Sequence, residues 1–170
     1  RFLKVDMNGR ILASIDRIQG HLGAMTFNHQ DRKVYASLEC KDDEIGQNIA
    51  KKLNVGIVSE SRFYIAIIDV EKVTEVGMDS EDNDAFRIVC VKDATRDYHM
   101  TGFADKEYEH FYGCSGIDGV TIAPELGKKG GKNYLYVAYG IYGDKARNDN
   151  NHQVLLRYDI RKLNEYAGKV

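Results

Sequence analysis

The chain has 170 residues, 43% of them hydrophobic and 29% charged, enough for one domain with a real core and too apolar for a disordered chain. The net charge is −2 and Lys and Arg form no basic run, so nucleic acid is not an expected partner. No apolar stretch approaches the roughly 20 residues that span a bilayer as a helix, and three cysteines without CxxC or Cys-His spacing disfavour a zinc knuckle.

In chain order, Phe2–Val5 is apolar and ends in Asp6-Met7-Asn8-Gly9, a hairpin signal, with Ile11–Ile15 placed to pair back on it. Gly20-His21-Leu22-Gly23 then opens a strand at Ala24–Phe27, and Lys33–Leu38 alternates Val34, Ala36 and Leu38 with Tyr35 and Ser37. Lys41-Asp42-Asp43-Glu44 is acidic, and Ile45, Ile49 and Leu53, spaced by four, predict a short helix over 44–53. Phe63–Val70 is nearly continuous apolar, as in a strand buried on both faces. Met78–Asp84 reads as a polar connection and Ala85–Val91 as a further strand. Residues 93–115 show no period.

The same order then recurs. Gly116-Ile117-Asp118-Gly119 opens Val120–Ala123, Tyr134–Tyr139 follows, and Val154–Ile160 ends in Tyr158-Asp159-Ile160. Four strand types are distinguished. Type A follows Gly-x-x-Gly and type B carries Val-Tyr or Leu-Tyr. Type C ends in an apolar-Asp-apolar triplet at Asp6, Asp69 and Asp159, and type D follows it. The chain reads C-D, A-B-C-D, A-B-C. Each Asp after strand C is expected to hold the backbone of the turn that follows.

A four-stranded unit that recurs is the blade of a β-propeller, so the expected fold is all-β, a partial propeller of about two blades plus half-blades. A sandwich or closed barrel is the competing fold. The blade reading makes 1–170 one domain: 1–19 ends one blade, 20–92 forms the second, 93–115 connects, and 116–170 forms the third. Rings usually hold 4–8 blades, so the rest of the propeller is expected as a partner in cis or in trans. A start at Arg1, inside a strand pattern, favours reading the chain as a fragment of the ring.

Gly116-Ile117-Asp118-Gly119-Val120-Thr121-Ile122-Ala123-Pro124 with Tyr134-Leu135-Tyr136-Val137-Ala138 resembles blade openings of the calcium-dependent six-bladed propellers. These are the gluconolactonase and regucalcin-like group, with the strictosidine synthase-like and paraoxonase-like proteins near them. The resemblance covers about one blade. It implies that Asp118 sits at the mouth of a central channel on calcium or another divalent metal. The matching position in the first unit is Leu22, beside His21, so the remaining ligands that such a metal requires would come from other blades.

Asp118 is therefore the first candidate, as metal ligand or general base, against a turn residue bonded to local N–H groups. His21, at the mouth of the first unit's strand A, is the candidate acid–base partner, against a hydrogen-bonded structural histidine. Asp144, Asn148, Asp149, Asn150 and His152 form the densest oxygen cluster, which makes Asp144 and Asp149 candidate metal ligands, against a solvated loop. Cys114-Ser115-Gly116 lacks a nucleophile elbow, and Gly127–Lys132 lacks P-loop spacing and reads as a hairpin tip. Both B–C loops, 41–61 and 140–152, are long and acidic. The expected function is a binding module that takes a glycan, peptide or protein on these rim loops and the channel mouth. The alternative is a metal-dependent hydrolase of a lactone, ester or phosphoester.

Overall fold

The structure, a computed structural model, describes residues 1–91, 116–140 and 153–168. The chain is mostly β. Its strands are β1 (Phe2–Val5), β2 (Ile11–Asp16), β3 (His21–Asn28), β4 (Lys33–Cys40), β5 (Arg62–Asp69), β6 (Met78–Asp79), β7 (Phe86–Cys90), β8 (Gly116–Pro124), β9 (Asn133–Gly140) and β10 (Gln153–Asp159). Helix α1 (Glu44–Leu53) lies between β4 and β5, and α2 (Ile160–Tyr166) follows β10. No helix among the described residues is long and apolar enough to cross a membrane.

Three sheets form, and among the described residues none closes on itself. The first has the order β1-β2-β6, the central one β3-β4-β5-β7, and the third β8-β9-β10. Within the central and third sheets every neighbouring pair is antiparallel and chain order equals spatial order, as the recurring strand types predict. One element departs from expectation. The connection at 78–84 contains β6, which pairs parallel with β2 through Ile15↔Met78 and Asp16↔Asp79.

The central sheet is buried on both faces because β4 and β5 carry apolar groups at odd and even positions alike. Val34, Ala36 and Leu38 of β4 and Ala66 and Ile68 of β5 pack with Phe2, Ala13 and Ile15 of the first sheet. Tyr35 of β4 and Phe63, Ile65 and Ile67 of β5 pack instead with Leu135, Val137 and Tyr139 of β9 and Leu163 of α2. Burial of an isoleucine such as Ile65, fully enclosed here, contributes about 1.5–3 kcal/mol. Each sheet therefore buries a face that it could not cover alone.

The turns follow from the Asp residues that end the type C strands. Asp6 Oδ1 accepts from Asn8 N and Arg10 N, both at 2.9 Å. Asp69 Oδ1 accepts from Glu71 N at 3.2 Å. Asp159 Oδ1 accepts from Arg161 N at 2.9 Å and Lys162 N at 3.4 Å, and so caps α2. All three carboxylates hold the backbone of the turn that follows their strand. The far end of the central sheet is tied by a second network. The Tyr35 hydroxyl donates to Asp31 Oδ2 at 2.5 Å and accepts from Asn164 Nδ2 at 2.6 Å, while Asn164 Oδ1 accepts from Lys33 Nζ at 2.7 Å. Burial, and then the Asp31 carboxylate, push the Tyr35 phenol well above its ordinary value, so it stays a neutral donor.

Candidate functional site at the sheet rim

In antiparallel A-B-C units the start of A, the end of B and the start of C share one edge. His21 pairs with Glu39 and Cys40 with Arg62 in the central sheet. Gly116 pairs with Gly140, and Gly140 with Gln153, in the third. The two edges meet, because Glu39 Oε1 accepts from Ile117 N at 2.5 Å. Cys40 and Gly140, where the two long B–C loops leave their sheets, therefore lie on a common rim. The remainder of the second loop lies outside the described residues.

Glu39 is the residue that sequence reasoning missed. It is only 8% exposed, and so a carboxylate is buried between two sheets. Its parity was the available signal, since it shares the face of Tyr35 and Ser37, which turns toward the third sheet. Direct cross-strand partners project to the same face, so His21 stands beside Glu39 on that side. Gly20 makes this corner feasible. Its φ is +127°, and a Cβ there would lie 2.9 Å from both Cys40 Sγ and Glu39 O. The Cys40 thiol donates to Gln19 O at 3.0 Å, and burial raises its pKa.

The sequence-predicted candidates fall as follows. His21 is exposed and is the first residue of β3. Asp118 lies within β8 rather than ahead of it, because that strand begins at Gly116. It is exposed, sits where the β8–β9 register shifts between Ile117 and Gly119, and its Oδ2 accepts from Gln153 Nε2 at 3.2 Å. A register shift of this kind redirects a side chain at a sheet edge. The matching shift in β3 falls between Leu22 and Met25. Asp144 and Asp149 lie outside the described residues. Among the described residues no three His, Cys, Asp or Glu side chains group as metal ligands.

Beside the rim an open groove of about 480 Å³ runs between α1 and the β2–β3 junction. Its lining includes Ile18, Leu22, Ile49 and Leu53, with Arg1, Arg17, Lys52 and His21 around a single carboxylate, Asp16. Arg1 pairs with Asp16 at 2.8 Å and Arg17 with Asp79 at 3.1 Å. Helix α1 forms one wall, for reasons legible in its ends. The Asp43 side chain caps it by accepting from Gly46 N at 3.0 Å, and Asn54 closes it in the left-handed conformation. Gly46 is required at the first turn, since a Cβ would lie 1.7 Å from Lys41 O. Asp118 is not among the lining residues, so the groove takes His21 but not its proposed partner.

Comparison with protein families, curated proteins and solved structures gave no match.

Proposed function

We propose that the chain is part of a β-propeller and that it acts as a binding module, with the rim groove between α1 and the β2–β3 junction as its ligand site. Support for the propeller comes from the two antiparallel units that share one strand order and stack face to face. The observation that carries the binding reading is the groove itself, an apolar wall edged by more cations than anions on the rim from which both long loops leave. That combination suits a glycan, peptide or protein bearing an acidic group beside an apolar one. Backbone-amide NMR with candidate ligands tests it. Shifts should centre on Gly20–Leu22 and Ile49–Leu53 and vanish in Lys52→Glu, and shifts confined to other surfaces would refute it.

A second reading, a metal-dependent hydrolase, is favoured by the exposure of Asp118 at the β8 register shift and of His21 at the head of the matching strand. Such an enzyme would use the metal to polarise the scissile group and activate water. Ester and lactone hydrolysis measured with added calcium, in the intact chain and in Asp118→Asn, separates the two readings.

A further inference from the structure

In antiparallel A-B-C units the end of A, the start of B and the end of C share the rim opposite the groove. On the central sheet the turns of that rim hold Arg32, Lys33 and Lys72 against Asp31, Asp69 and Glu71, and the charges balance. On the third sheet they do not. The β8–β9 turn carries Lys128, Lys129 and Lys132, and β10 and α2 add Arg157, Arg161 and Lys162. The carboxylates of the same elements are Glu125, Asp159 and Glu165. The chain as a whole has a net charge of −2, so this positive surplus is local.

The cations are contiguous. Glu125 pairs with Lys128 through Oε2 at 2.5 Å and with Arg157 through Oε1 at 3.0 Å. Arg157 Cζ and Lys132 Nζ lie 4.5 Å and 5.4 Å from the centre of the Tyr134 ring. Lys132 pairs with Asp159 Oδ2 at 2.5 Å, and the other oxygen of Asp159 already holds Arg161 N and Lys162 N. Each of these two carboxylates thus serves more than one donor. The cations hold both below their ordinary values, Glu125 chiefly through Lys128 and Asp159 chiefly through Lys132. The Lys129 and Lys162 side chains are exposed and have no carboxylate partner among the described residues. The pairs of Lys128 and Arg157 with Glu125 are solvent-exposed, and such pairs are weak enough to be exchanged for the carboxylates of a partner. The turn is also preformed. Gly130 and Gly131 close it at φ +79° and +100°, and Tyr136 Oη accepts from Leu126 N at 3.1 Å and donates to Pro124 O at 3.0 Å. The Leu126 side chain stays 68% exposed on the same turn as the lysines.

We infer that the β8–β9 turn, with Arg157 of β10 and Arg161 and Lys162 of α2, is a docking surface for a short acidic segment of a partner protein. The segment carries several carboxylates and an apolar residue that meets Leu126. Its carboxylates engage Lys129 and Lys162 and compete with Glu125 for Lys128 and Arg157, so charge complementarity selects it. A broad polyanion such as a duplex or a bilayer would lie against the balanced turns of the central sheet as well, whereas a short segment meets the cations alone. The inference stands apart from the groove reading, because the surface lies on the other rim and shares no residue with the groove.

The test is fluorescence anisotropy on the intact chain with a labelled peptide Glu-Glu-Leu-Asp-Glu-Glu and its neutral counterpart Gln-Gln-Leu-Asn-Gln-Gln. The acidic peptide should bind at about 0.01 M salt and weaken at about 0.15 M, where exposed charges are screened beyond about 8 Å, and the neutral peptide should not bind. The double variant Lys129→Glu with Lys162→Glu changes two exposed, unpaired side chains, so its melting should match the parent while affinity falls at least about tenfold. Lys52→Glu, in the groove, should bind this peptide within about twofold of the parent, which separates a failure here from a failure of the groove reading. Amide NMR shifts should centre on Leu126–Lys132 and Arg161–Lys162. Equal binding of the neutral peptide, parent-like affinity in the double variant, loss in Lys52→Glu instead, or no binding at millimolar peptide would overturn the assignment. So would capture of phosphatidylserine-containing vesicles or duplex DNA in preference to the peptide, if the double variant abolished it, since the surface would then belong to a lipid or a nucleic acid.

Discussion

Removal of the Glu39 carboxylate tests how the rim is built. Its Oε1 accepts from Ile117 N at 2.5 Å, and both residues are buried, at 8% and 6% exposure. A hydrogen bond to a charged group contributes about 1.5–3 kcal/mol, and an orphaned buried N–H costs about 1–3 kcal/mol. Glu39→Ala should therefore lose about 2–3 kcal/mol, a fall of roughly 4–12 °C in Tm for a domain of this size. Glu39→Gln keeps an acceptor of the same length and sheds the cost of burying a charge, so it should stay within about 1 kcal/mol of the parent. Urea unfolding gives both values, and amide exchange at Ile117 reports the bond itself. Equal losses in the two variants, or an Ile117 amide indifferent to Glu39→Ala, would refute the reasoning.

Other consequences are local. Gly46→Ala should destabilise by about 3 kcal/mol, since the new Cβ meets the Lys41 carbonyl, and circular dichroism should show the loss of α1 before the sheets melt. Asp6→Ala and Asp69→Ala should each cost about 1 kcal/mol by thermal melting, as equivalent turn residues. Asp43 is held below its ordinary value of 3.8, chiefly by the Gly46 N–H. A depressed folded-state pKa stabilises above the unfolded value, so the contribution is complete above about pH 4 and is lost as the pH falls through the lowered value. Protection of the Gly46 amide relative to its intrinsic exchange rate should fall over that acid range in the parent and hold in Asp43→Asn, which caps without titrating.

Much of this architecture was legible because it is local. The spacing of Ile45, Ile49 and Leu53 marks α1, the unbroken run at Phe63–Val70 marks a strand between two sheets, and the Asp after each type C strand marks a turn. What escaped was non-local. Two residues, Met78 and Asp79, carry no period, and their partner on β2 is set by tertiary packing. Glu39 ends an alternating strand whose parity gives its face, but tertiary packing decides that the third sheet covers that face. His21 heads β3 and Asp118 lies inside β8, and only the fold shows that the groove beside His21 is built by α1 and the β2–β3 junction.

The central claim is that this rim groove binds a ligand through its cations and apolar wall. Its most direct test is an array of acidic and neutral glycans and peptides probed with the parent chain and with Lys52→Glu, whose melting should match the parent. The account predicts that acidic ligands are retained by the parent and released by the variant. Identical profiles for the two proteins, or a parent that selects only neutral ligands, would contradict it.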